Sequence, residues 1–182
     1  LLLTLVRTDL LDSWRDRIPE GTPNYFLINI QDTDVPQVQT FLGNENQTST
    51  ALYPMIRGRL SAINSEKIVA ENFTTAEARR WARRAYNLSF SQELPSANSL
   101  TAGEWWDIDN IDTNQLSLEE EFANELGVTL NDTLTFMVAG KEVSGKISSL
   151  RKVDWDSFNV NFFVLANPSM LDTYPASYVT CF

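Results

Sequence analysis

The tightest constraint on this chain lies between Thr133 and Val153, where an alternating segment turns back on itself. Leu134, Phe136 and Val138 fall on one side of the first segment, because strand side chains alternate with period two. Gly140-Lys141 predicts a hairpin turn, and Glu142 to Val153 returns as a second strand. Helix signals stand directly before this hairpin. Ser117 and Glu120 have capping-box spacing, Leu118, Phe122 and Leu126 recur at i, i+4 and i+8, and Gly127 closes the segment. Val160 to Leu165 predicts a further apolar strand. Helices and strands therefore interleave, and the expected class is mixed α and β.

The first half repeats that alternation. Asn24 to Ile30 reads as a mostly buried strand. Asp34 then predicts a helix cap, with Pro36 in the first turn, Val38, Phe41 and Leu42 on the apolar face, and Gly43 at the end. Tyr53 to Ile63 reads as a long strand broken by Gly58, followed by a turn at Asn64-Ser65-Glu66. Strand, helix and strand here suggest a βαβ-like unit. A second helix is expected from Thr74 or Thr75, with Ala78, Trp81, Ala82 and Ala85 inward and Arg79, Arg80, Arg83 and Arg84 outward.

Composition narrows the chemistry. The 182 residues include 24 acidic and 14 basic side chains, a net charge of −10, with no histidine and one cysteine, Cys181. An acidic chain lacks the clustered Lys and Arg that bind phosphate backbones, so no nucleic-acid partner is expected. Without histidine there is no Ser-His-Asp or Cys-His unit. A single cysteine allows no internal disulfide framework and no thiolate zinc site. No Walker A or G-x-S-x-G sequence occurs.

The remaining candidates are few. Arg79, Arg80, Arg83 and Arg84 form the one basic cluster; it is either a contact for anionic headgroups or an acidic partner, or a solvated face paired with the chain's own carboxylates. Asn110, Asp112, Asn114 and Glu121 fall at positions one, three, five and twelve of a calcium-loop pattern. Gln115 replaces the glycine that makes its sharp turn, so a polar loop is expected there. Asp154 and Asp156 flank Trp155, but carboxylates at i and i+2 of one loop read as a turn, not as an acid pair across a cleft. Asn46, Asn72, Asn87 and Asn131 begin glycosylation-like triplets, which an Asn-rich chain produces by chance. Trp105-Trp106 either lines an apolar pocket or packs in the core, with packing favoured on burial statistics, and Cys181 reads as a small buried hydrophobe. No catalytic, cofactor-binding or metal-binding residue emerges.

Several stretches carry a family resemblance: Leu5 to Trp14, Asn24 to Gln31, Leu52 to Leu60, Leu130 to Phe136, and above all Ser149 to Ser157 followed by Asn161 to Leu165. They resemble the FtsX/MacB-type ABC transporter permeases, in particular the YbbP-like branch. That resemblance implies the second extracytoplasmic domain of such a permease. The implied fold is an α+β periplasmic domain of two subdomains, like the MacB periplasmic core. A juxtamembrane helix would occupy residues 1–17, with Leu1 to Val6 ending a membrane helix. A porter-like part would comprise residues 18–88 and 155–182, and a smaller inserted part residues 89–154. The family's porter-like part continues past the strand ending at Phe182, so an unpaired sheet edge is expected there.

The implied function is non-catalytic. The domain would transmit conformational change (mechanotransmission) or contact substrate during export of hydrophobic or lipid-like molecules from a bacterial inner membrane. ATP hydrolysis would belong to a separate cytoplasmic ATPase. Further implied partners are a periplasmic lysophospholipase or thioesterase and the other periplasmic domain of the same permease. The alternative is a free periplasmic module binding a lipid or hydrophobic ligand, which needs a concave apolar cavity.

Overall fold

A computed structural model describes residues 25–44, 51–107, 113–157 and 159–182. The strands are β1 (Phe26–Gln31), β2 (Tyr53–Ile63), β3 (Glu66–Lys67), β4 (Ala85–Phe90), β5 (Asn98–Gly103), β6 (Gln115–Glu119), β7 (Thr133–Val138), β8 (Lys141–Val153), β9 (Val164–Ala166) and β10 (Ser177–Cys181). The helices are α1 (Val35–Asn44), α2 (Ala76–Arg83), α3 (Glu120–Leu126) and α4 (Pro168–Leu171). The expected class, mixed α and β, is what the structure has, with strands dominating. The juxtamembrane helix expected at residues 1–17 lies outside the described residues.

Six strands close on themselves. β2 pairs antiparallel with β4, β4 parallel with β9, and β9 antiparallel with β6. The ring continues with β6 parallel to β8, β8 antiparallel to β7, and β7 antiparallel back to β2. A closed ring leaves no free edge. Its interior is filled, not hollow: Ile56, Leu60, Leu88, Leu116, Leu118, Leu134, Phe136, Val138, Ile147 and Val164 are all buried in one cluster. Gly58 does not break β2. An added Cβ there would stand 2.6 Å from Leu88 Cδ1, so the glycine lets β2 and β4 side chains close over each other.

Two long strands extend beyond the ring. The start of β2 pairs with β10, and β10 with β1. β10 is thus hydrogen-bonded on both sides, which corrects the expected unpaired edge beside Phe182. The outer strand is β1, and it is not mostly buried: Tyr25, Phe26 and Ile28 are exposed, and Ile30 alone of the strand is buried. β1, α1 and β2 do follow the βαβ order, but β10 lies between the two strands. The end of β8 pairs antiparallel with β5. Strands on either side of the boundaries expected at residues 88/89 and 154/155 share ladders, β2 with β7 across the first and β6 with β9 across the second.

Local signals placed several elements one turn off. Ser117 is not a helix cap. It sits within β6, where pairing on both sides satisfies the backbone, and its Oγ accepts from Ser149 Oγ at 2.8 Å. Leu118 accordingly faces the ring core from a strand. α3 begins later, capped by the Glu119 carboxylate, which accepts from Phe122 N–H at 2.7 Å. Gly127 closes it with φ +69°, a left-handed conformation that glycine adopts without strain. Thr75 caps α2 by accepting from Ala78 N–H at 2.9 Å, and Ala85 lies not on that helix but at the start of β4. Asp34 belongs to a single 3-10 turn ahead of α1, Gly43 lies inside that helix, and Phe41 is exposed on it. The β7–β8 turn is centred on Ala139 and Gly140, with φ +46° and +81°, one residue earlier than expected. Of the apolar run from Val160, only Val164 onward pairs as a strand.

Candidate functional site

The basic cluster is a paired surface. Arg80 Nη2 meets Glu77 Oε1 at 2.7 Å, and Arg83 Nη2 meets Glu71 Oε1 at 2.5 Å, with all four side chains more than half exposed. Exposed pairs of this kind contribute little, because water and salt screen them. Glu71 is held below the ordinary carboxylate range by a backbone hydrogen bond first, then by the hydrogen bond and charge of Arg83. Arg84 ends α2 and places its guanidinium 4.8 Å from the Trp81 ring centre and 5.8 Å from that of Tyr86.

Trp81 turns the other way, into an aromatic cluster. Phe122 and Phe163 meet it edge-on at 5.5 and 5.0 Å, and Trp155 lies 4.9 Å from Phe163. Edge-to-face pairs at these separations are favourable because each ring presents a positive edge to a negative face. Tyr86 packs beneath, its hydroxyl donating to the Trp81 carbonyl; burial holds its phenol above the usual range, opposed by Arg84. Between α2, α3 and the Trp155 turn the cluster leaves a cleft of about 270 Å³. Trp81, Phe122, Phe163 and Trp155 form its apolar lining. Glu77, Glu119, Glu121, Glu125 and Asn124 complete it.

A buried cation fixes one wall. Arg151 is fully buried at the end of β8. Its Nη2 donates to the Phe162 carbonyl at 2.6 Å, and its Nη1 donates to Asn98 Oδ1. Asn98 Nδ2 in turn donates to Asn161 Oδ1 at 2.9 Å. Glu119 N–H donates to the Phe163 carbonyl at 2.8 Å. Together these bonds tie residues 161–163 to β5, β6 and β8, and so position the Phe163 ring. Burial lowers Arg151 to about 10, opposed by the charge of Glu119, its register partner on β6. The stretch Ser149 to Ser157 with Asn161 to Leu165 thus builds a scaffold and carries the cleft's Trp155 and Phe163.

The other sequence candidates disperse. Asp154 Oδ1 accepts from Asp156 N–H at 3.2 Å within one exposed turn, so the two aspartates do not face each other across a cleft. Asn110 and Asp112 lie outside the described residues. Asn114 donates to the Ser144 carbonyl at 3.0 Å, and Glu121 sits on α3. Asn46 also lies outside the described residues, while Asn72, Asn87 and Asn131 are exposed. Trp106 is buried in a second apolar cluster with Cys181, and Trp105 packs against it. Their indole N–H groups donate to the Ser91 and Gln92 carbonyls at 3.0 and 2.9 Å. Sequence reading weighed the aspartates beside Trp155 and passed over the tryptophan. Its helix cap at Ser117 would put Glu119 in the first helical turn. Only the pairing of β6 with β8 brings Glu119 beside Arg151.

No family model matches the chain. A comparison with curated proteins finds the ABC transporter permease YbbP of Escherichia coli (strain K12), 37% identical over 181 residues. The match covers 100% of this chain and 21% of the relative, so the chain spans about a fifth of that protein's length. The resemblance to the YbbP-like branch of ABC transporter permeases therefore holds over the whole chain. No helix among the described residues is long and apolar enough to cross a membrane.

Proposed function

We propose that this chain is a non-catalytic module of an ABC permease, lying on the periplasmic side of a bacterial inner membrane. In this reading it transmits conformational change or contacts substrate while hydrophobic or lipid-like molecules are exported. The observation that carries it is the 37% identity with an ABC transporter permease along the entire chain. ATP hydrolysis falls to a separate cytoplasmic ATPase. The other periplasmic domain of the permease and a lysophospholipase or thioesterase are its expected neighbours.

The fold suits transmission. A closed, filled ring deforms little, because any opening breaks ladder hydrogen bonds and exposes packed side chains. The porter-like part (residues 18–88 and 155–182) and the inserted part (residues 89–154) are joined through that ring in this reading. Motion is then expected where the module meets the rest of the permease, not between its own parts. A free lipid-binding module fits less well, since the described clefts carry polar or charged lining and the ring interior is occupied.

Sidedness tests the reading. Lys141 is exposed at the β7–β8 turn, so a Lys141→Cys variant of the full-length parent takes a membrane-impermeant maleimide. Labelling in cells with only the outer membrane permeabilised is the expected result. Labelling that appears only after the inner membrane is lysed would overturn the periplasmic assignment.

A further inference from the structure

We infer that the cleft between α2, α3 and the Trp155 turn receives a basic side chain, arginine in preference to lysine, from a protein partner. The inference stands on the cleft alone and is independent of the permease reading. Three observations combine. First, the lining is aromatic and exposed where a ligand would enter: Trp155 is 47% exposed, although its ring packs against Phe163. Aromatic faces attract cations through the ring quadrupole, and tryptophan does so most strongly. Arg84, 4.8 Å from the Trp81 ring centre and not among the lining residues, already uses this chemistry on the same ring.

Second, the charge in the cleft has one sign. Four glutamates line it, and among the described residues no lysine or arginine does. Glu77 is engaged by Arg80 and Glu119 lies beside Arg151, but Glu121 and Glu125 form no ion pair among the described residues. Third, Glu119 is only 5% exposed, yet it lines the cleft. One of its oxygens caps α3, and the other, Oε1, accepts from no described donor. A charge-assisted hydrogen bond to that oxygen is open to an incoming donor.

The size and shape argue for a single side chain. A cleft of about 270 Å³ open to solvent is too small for a folded element. A guanidinium is planar, stacks on indole and offers several donors to dispersed carboxylates, whereas an ammonium is a strongly hydrated point charge. Arginine is therefore the better occupant, and a small quaternary ammonium, which donates no hydrogen bond, the poorer one.

The test titrates the 182-residue chain with the tripeptide acetyl-Gly-Arg-Gly-amide, following the tryptophan indole N–H resonances. Acetyl-Gly-Gln-Gly-amide and tetramethylammonium chloride serve as comparison probes. Saturable shifts of the Trp81 and Trp155 signals with the arginine peptide are expected, several-fold tighter than with either comparison probe. The Glu121→Gln/Glu125→Gln double variant should weaken binding about tenfold. Both residues are exposed, so the remaining spectrum should be unchanged. Glu66→Gln, a remote exposed acid, should leave affinity as it is. No saturable shift, equal affinity for the glutamine peptide or tetramethylammonium, or equal weakening by Glu66→Gln would overturn the inference.

Discussion

The two faces of β6 are buried in different ways. Toward the ring, Leu116 and Leu118 share one buried apolar cluster with Leu134, Phe136 and Val164. Away from the ring, Ser117 and Glu119 meet Ser149 and Arg151, all of them nearly or fully excluded from solvent. Burial is equal, but what holds each face differs. The apolar face is stabilised by area removed from water, and tolerates any well-packed hydrophobe of the same volume. The polar face depends on partners for its buried groups, because an uncompensated buried charge costs several kcal/mol; Arg151 meets this with its two Nη donors, while its Nε has no partner among the described residues. One face is therefore about filling space, and the other about geometry. The polar face is also the one that reaches the cleft, through Arg151 to Phe162 and through Glu119 to Phe163.

A register shift creates the contrast. Leu116 is opposite Ile147, but Ser117 is opposite Ser149, so Ser148 is an extra residue in β8. Such a bulge turns the following side chains to the other face. Without it Ser149 and Arg151 would point into the ring, and Leu150 out of it.

The largest expected effect breaks the polar face. Arg151→Met leaves Glu119 buried without its countercharge and two acceptors unmet, and should cost about 4 kcal/mol in urea denaturation. Adding Glu119→Gln should recover part of that loss, since it removes the stranded charge. Strict additivity of the two would mean that they do not act together.

On the apolar face, Leu118→Ala should cost about 3 kcal/mol, through lost transfer energy and the cavity left behind. The contrast sharpens with a swap: Leu118→Met should cost less than about 1.5 kcal/mol, while Arg151→Lys, which keeps the countercharge for Glu119, should still lose part of what Arg151→Met loses. A lysine cannot reproduce the two-pronged donation to Asn98 and Phe162.

Gly58→Ala tests how tightly the ring is filled. Its new methyl group meets Leu88 Cδ1 at 2.6 Å and Val138 Cγ2 at 3.3 Å. Leu88 is the end of a flexible side chain, so a loss of about 1–2 kcal/mol is expected, not unfolding.

The smallest effect lies at the surface. Asp132 is held below the ordinary aspartate range, first by the Asn64 side-chain donor and then by Thr129 N–H, both at 2.8 Å. A carboxyl with a depressed folded value stabilises above its unfolded value, and that stability is lost as pH falls through the folded value. Asp132→Asn should cost about 1 kcal/mol at pH 7. The gap between the two proteins should close below about pH 4.

Much of this architecture was legible in the sequence, and the failures have physical reasons. The alternation of Leu134, Phe136 and Val138 and the glycine at 140 gave the hairpin, because strand period and turn chemistry are local. Tyr53 to Ile63 was read to the residue. Ser117 misled because its spacing to Glu120 fits a cap, while ladders to β8 and β9, both distant in sequence, satisfied the same backbone groups instead. Asn24 to Ile30 looked buried because its composition is that of a core strand, yet its place at the outer edge was set by β10. The cleft was illegible for a related reason. Trp81, Glu119, Trp155 and Phe163 come from four separate segments, and a bulge that no pattern announces turns Arg151 toward the Asn98–Phe162 contacts that fix one wall.

The most direct test of the permease reading is the compartment and size of the native parent protein. An antibody raised to this chain is used to follow the antigen through fractionated source cells. A band several times larger than the 182-residue chain, in the inner membrane and released only by detergent, is the predicted result. A soluble periplasmic band of the chain's own size would contradict it and favour a free binding module.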